Sequence, residues 1–110
     1  MENYYFIYVL KSLKDGRNYT GYTKNLKLRF EQHMNGEVLS TMNRRPLVLI
    51  YFEGCINQQD ATHREKYLKT HYGKMYLKNR LKQWYEEESN RIWQGKSFSF
   101  IGLYKKRRGV

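Results

Sequence analysis

Long apolar runs are missing from this chain. No stretch approaches the roughly 18 to 20 apolar residues that a bilayer crossing requires, and the opening MENYYFIYVLKS lacks the basic-then-apolar layout of a secretory signal. A cytoplasmic location with no membrane partner is therefore expected. Cysteine occurs once, at Cys55. A single thiol cannot close an internal disulfide, and with no Cys or His partner spaced nearby it reads as a small buried or half-buried side chain rather than a zinc ligand. Proline also occurs once, at Pro46. No Gly/Ser or Pro linker, internal repeat or low-complexity tract divides the chain. Acidic residues are scarce, with 10 Asp plus Glu against 21 Lys plus Arg and a formal charge of +11. Such a surplus favours a polyanionic partner, either nucleic acid or an anionic membrane surface, without choosing between them.

The 110 residues, 40% of them hydrophobic, suffice for one compact core and are too few for two ordinary domains. The main domain is expected over residues 1–83, which hold 15 of the 21 basic and 7 of the 10 acidic side chains. The core is thus cationic by itself. Residues 84–110 read as an extension of different character: acidic Glu86 to Glu88, the pair Trp84 and Trp93, Gly95, an alternating SFSFIGLY stretch and a basic end over Lys105 to Arg108. Eleven tyrosines suit stacking on bases beside a basic surface, and suit equally the packing of strands with one wet end.

Along the main domain, the aromatic and β-branched run YYFIYVLK over residues 4–11 predicts a strand. Asp15-Gly16 predicts a tight turn, and Asn18 to Tyr22 a second strand. Thr23 is the expected N-cap of a helix from about Lys24 to Asn35, with Leu26, Phe30, His33 and Met34 on one stripe and Gly36 as its stop. Arg45-Pro46 leads into LVLIYFE, read as a third, well-buried strand ending at Gly54. A helix is expected from about Gln58 to His71, with Ala61, Leu68 and Tyr72 on its apolar stripe. Glu65 falls on that stripe rather than opposite it. Gly73 is expected to break the pattern before a short helix through Met75 to Leu81. The fold class is α/β (α+β): a small three-stranded, mainly antiparallel sheet flanked by helices.

A buried carboxylate must be protonated, paired with a cation or bound to a metal, so Glu65 is either an ion-paired residue or a ligand. Two tyrosines, Tyr8 in Phe6-Ile7-Tyr8 and Tyr19 in Tyr19-Thr20-Gly21, stand on neighbouring strands; Arg29, His33, Glu65 and Asn79 follow in order. With Ser40-Thr41, Asn43-Arg44-Arg45-Pro46, Leu49-Ile50-Tyr51 and Arg64 to Lys69, this ordered set resembles the GIY-YIG nuclease superfamily over roughly residues 4–82. It looks closest to small single-domain members related to the N-terminal nuclease domain of the UvrC excision-repair protein. Phe6 stands where the name motif has Gly and Thr20 where it has Ile, and both tyrosines are kept.

The resemblance implies a metal-dependent endonuclease that hydrolyses DNA phosphodiesters with water and leaves 3′-hydroxyl and 5′-phosphate ends. Glu65 would hold one Mg²⁺ or Mn²⁺. Tyr8 would act as general base or position the water, Tyr19 would support it, and Arg29 would fork onto phosphate oxygens. His33 would assist proton transfer, and Asn79 would anchor a phosphate or the site's network. Each also has a plain structural reading as a packed tyrosine, a solvated charge, a structural histidine or a helix-surface amide. His63 and His71 read as solvent-facing. Lys24, Arg44 and Arg45 are expected phosphate contacts, and contacts of that kind confer affinity without sequence preference. Nicked, branched or damaged DNA, as in repair or recombination, suits such an enzyme, with targeting by a homodimer or partner protein. The rival function is a non-catalytic nucleic-acid-binding module of the same fold; a membrane-surface adaptor using the tail rests on charge and tryptophans alone.

Overall fold

A computed structural model of the chain describes residues 3–93, with side chains as far as residue 90. The SFSFIGLY stretch and the basic end therefore lie outside the described residues. Two strands, β1 (Tyr5–Ser12) and β2 (Asn18–Thr23), precede helix α1 (Leu26–Met34); a 3-10 turn (Met42–Arg44) then leads into β3 (Leu47–Cys55). Helices α2 (Gln58–Leu68), α3 (His71–Arg80) and α4 (Lys82–Trp93) complete the order. The three strands form one wholly antiparallel sheet in the order β2-β1-β3. This is the α+β architecture the residue pattern predicts.

The chain divides into two compact units, Met1–Gly73 and Lys74–Val110, so the line falls inside α3. The change of character expected at residues 83 to 84 lies within α4. In the first unit, Ile7, Tyr8, Val9 and Leu10 are all buried. Successive strand residues point to opposite faces, so a run of four buried ones means the sheet is covered on both sides. On the Tyr8 face a cluster of Tyr8, Leu10 and Leu47 is packed by Leu26, Phe30 and Met34 of α1 with Tyr19 and Leu49. The stripe read from the sequence is the stripe that packs.

Several local expectations are corrected. Asn25, not Thr23, caps α1: its side-chain oxygen accepts the Leu28 N–H at 3.1 Å, while the Thr23 hydroxyl accepts the Asn25 N–H at 3.1 Å. Two polar residues competed for one end, and the second lies closer to the first full turn. The third strand is an edge strand; Leu47 and Val48 are buried, but Phe52 is 53% exposed. Its pairing with β1 slips by one residue, since Val9 faces Tyr51 whereas Leu10 faces Leu49, and Ile50 is the extra residue of a bulge.

Helix α2 stops at Leu68 rather than near His71, and Tyr72 is 72% exposed rather than part of the stripe. Gly73 does not break a helix; it lies in the first turn of α3. An ideal Cβ there would collide with the Tyr67 carbonyl oxygen and the Leu68 backbone. The glycine permits the last turn of α2 and the start of α3 to approach closely. Gly73→Ala is expected to destabilise the protein by about 1–3 kcal/mol through overpacking, read as a lowered urea midpoint with an unchanged slope.

Candidate active site

The hairpin sets the first part of the site. In its register Tyr8 faces Gly21 and Leu10 faces Tyr19, which makes Tyr8 and Tyr19 diagonal neighbours on one face, with ring centroids 6.3 Å apart. The Tyr8 ring bends over Gly21, where any Cβ would fall on its hydroxyl oxygen and Cζ. Gly21 is thus required by the tyrosine opposite it, not by its own backbone angles.

Helix α1 supplies the second part. His33 is 0% exposed, and its Nε2 lies 2.8 Å from the Tyr8 hydroxyl. Its Nδ1 lies 2.7 Å from Oγ1 of Thr41, likewise 0% exposed, so both ring nitrogens have a hydroxyl partner. The imidazole also packs on both tyrosines, with ring centroids 5.5 Å from Tyr8 and 5.2 Å from Tyr19. Arg29, one turn before His33, is held at 3.1 Å by Gln32 Oε1, and its charge bears on the Tyr8 hydroxyl.

These placements fix the charge states. Burial pushes the Tyr8 phenol up to about 12, opposed by the Arg29 guanidinium and aided by Tyr19 and by Glu65. Burial and then the Arg29 charge push His33 down to about 4. At neutral pH the pair is therefore a neutral phenol against a neutral imidazole.

Glu65 stands half-buried on α2, close enough for its charge to act on Tyr8. Its side chain is 22% exposed and meets Lys69 Nζ at 3.3 Å one helical turn away, whereas the preceding Arg64 pairs with Glu53 at 2.8 Å. Tyr8, Tyr19, Arg29, His33 and Glu65 are thus brought together. Asn79 is an exposed residue of α3 and belongs to the second unit.

Lys24 is exposed, its ammonium 5.7 Å from the Tyr5 ring centroid. The two arginines before Pro46 have internal partners. Arg44 pairs with Asp15 at 2.9 Å and thereby closes the β1-β2 turn, while its carbonyl accepts the Ser12 hydroxyl at 2.6 Å. Arg45 donates to the Met42 carbonyl at 3.0 Å and to the Met34 carbonyl at 3.4 Å. His63 and His71 are exposed, as read from the sequence, and Cys55 is a free, half-buried thiol. Thr41 carried no expectation as a site residue. Its signal in the sequence was the place of Ser40-Thr41 in the family resemblance, which assigned it no role, and its contact with His33 needs the intervening loop to fold back.

The depressed His33 value has a direct consequence for stability. Because the folded pKa near 4 lies below the ordinary 6.5, the stabilisation from the neutral ring is complete above pH 6.5 and fades as pH falls toward 4. Urea unfolding at pH 7 and pH 4.5 should differ by about 2–3 kcal/mol from this source, and His33→Gln should flatten the slope in that window. Loss of the Asp15 pair, whose carboxyl Arg44 and the Arg17 N–H hold down at about 2, acts only at lower pH.

Comparison with known proteins identifies the family. The profile of the GIY-YIG catalytic domain matches residues 4–82. A UPF0213 protein of Clostridium perfringens is 43% identical over 58% of this chain and 69% of its own length. One from Pediococcus acidilactici is 40% identical over 71% and 85%. The solution structure of a UPF0213 protein from Bacillus halodurans is 28% identical, covers 67% of this chain and 81% of its own, and superposes with a TM-score of 0.44. With its paired tyrosines, Arg29, His33 and Glu65 gathered within the matched span, the chain belongs to the GIY-YIG catalytic domain family.

Proposed function

We propose that this protein is a metal-dependent endonuclease that hydrolyses DNA phosphodiester bonds with little sequence preference. The observation that carries the reading is the buried Tyr8–His33 hydrogen bond, with the Arg29 and Glu65 charges near enough to act on the same hydroxyl. The set matches what the reaction requires: a group to take a proton from water, a cation on the phosphate and an anchor for a metal.

The donor set at Glu65 suits Mg²⁺ or Mn²⁺. Among the described residues no three His, Cys, Asp or Glu side chains cluster, and Mg²⁺ characteristically keeps most of its waters and takes one or two carboxylates. The pairing of Glu65 with the largely exposed Lys69 is of the weak surface kind that a cation can replace. What the ion supplies when bound is neutralisation of charge developing on the phosphate oxygens.

The chain's own residues do the rest. Arg29, held by Gln32, offers a forked cation to the phosphate. Tyr8 is assigned the attacking water, with the neutral His33 behind it to receive a proton. An arriving phosphate offsets the Arg29 charge, which otherwise disfavours protonation of His33. Water attack then yields 3′-hydroxyl and 5′-phosphate ends. Lys24 is well placed for a flanking phosphate, and nicked, branched or damaged DNA fits an enzyme that reads backbone rather than bases.

Purified protein incubated with supercoiled plasmid at low salt and Mg²⁺ or Mn²⁺ should nick it, and Tyr8→Phe and Glu65→Gln should each lower the rate by roughly 100-fold or more. Retained binding without cleavage in either metal would favour the binding-module reading. Affinity for duplexes of unrelated sequence should fall alike as salt rises, and Lys24→Ala should reduce the logarithmic slope by about one.

A further inference from the structure

Thr41 has no part in the chemistry just described, yet it is as deeply buried as His33 and lies against the ring nitrogen remote from Tyr8. Its backbone is anchored on both sides: its N–H donates to the Val38 carbonyl at 3.1 Å, and its carbonyl accepts the Arg44 N–H at 2.9 Å. The hydroxyl is therefore held where it is rather than drawn there by the imidazole.

Donor and acceptor counting orders the chain of contacts. Of the two hydroxyls that face the ring, the Tyr8 phenol is by far the stronger acid and hence the better donor, so its proton points to His33 Nε2 at 2.8 Å. Nε2 must then be bare. A neutral imidazole carries one proton, which falls to Nδ1, and the group facing Nδ1 is Thr41 Oγ1. Which ring nitrogen is protonated is set by the hydrogen bond the other one makes.

We propose that Thr41 is a positioning residue whose Oγ1 accepts the His33 Nδ1–H and so holds the imidazole in the tautomer that presents a bare Nε2 to the Tyr8 hydroxyl. The inference rests on the hydrolytic reading and adds the residue that makes its proton path available. As the water oxygen bonds to phosphorus, its proton passes to the Tyr8 oxygen and the Tyr8 proton passes to Nε2. The bond from phosphorus to the 3′ oxygen breaks with its electron pair on that oxygen, which takes a proton from solvent. With the opposite tautomer Nε2 already carries a proton, and Tyr8 has nowhere to pass its own.

Long-range proton–nitrogen NMR of the full chain labelled with ¹⁵N reads the tautomer directly, alongside plasmid nicking. The wild-type His33 ring should show a protonated Nδ1 and a bare Nε2. Thr41→Ser should preserve that spectrum and the nicking rate. Thr41→Val, similar in shape but without the acceptor, should admix the Nε2–H form and lower kcat about tenfold with KM unchanged. A wild-type ring protonated on Nε2 would overturn the assignment, as would a Thr41→Val ring that keeps Nδ1–H. If Thr41→Val does not fold, the wild-type and Thr41→Ser spectra still decide. Absence of nicking in every protein, with the expected spectrum, would count against the hydrolytic reading and leave the role of Thr41 in setting the tautomer standing.

Discussion

A tyrosine hydroxyl and an imidazole, both removed from water and bonded to each other, fix the arrangement around them. The Tyr8–His33 contact joins the central strand to α1 across the only face of the sheet that α1 packs. Burying two polar groups is tolerable because each finds a partner. Around that contact the glycine opposite Tyr8 becomes obligatory and the loop after α1 has to fold back to serve the second ring nitrogen. An arginine one turn away comes to bear on the phenol. Most of what distinguishes this small domain follows from keeping that one bond dry and complete.

The electrostatics of the site run against the basic character of the chain as a whole. A surplus of positive charge would be expected to favour anionic forms of nearby groups, and Arg29 does pull the Tyr8 phenol in that direction. Desolvation is the larger effect at both Tyr8 and His33, and it leaves each neutral. The free protein therefore holds both groups uncharged at neutral pH. In the hydrolysis proposed above, the charge that activates them would come with the substrate and the metal.

Much of this was legible in the sequence because it is local or periodic. The hairpin shows in alternation and Asp15-Gly16, the α1 stripe in its 3.6-residue spacing, and Glu65 in being a charge on an apolar helix face. What was not legible depends on contacts between elements. Gly73 carries the same letter whether it ends a helix or admits a neighbouring backbone, and only its close approach to the Tyr67 and Leu68 backbone decides. Tyr72 fits the helical period but follows a helix that ends at Leu68, because Thr70 opens a new turn by accepting the Gly73 N–H at 3.1 Å. Arg44 and Arg45 look like free cations until Asp15 and the Met34 and Met42 carbonyls come within reach. Thr41 matters through a hydrogen bond that no spacing rule anticipates.

The bulge in β3 divides that strand into two halves with separate responsibilities. Leu47 and Leu49 lie on the Tyr8 face through their pairing with Ser12 and Leu10, and beyond Ile50 it is Phe52, across from Tyr8, that takes this face. On the Tyr8 face an odd-numbered series becomes an even-numbered one, so the half that anchors the core and the half across from Tyr8 are out of phase by one residue. Related chains could therefore differ by a single insertion or deletion at this point and exchange which side chains border Tyr8, while the core beneath stays as it was. Ile50 is the fold's adjustable joint.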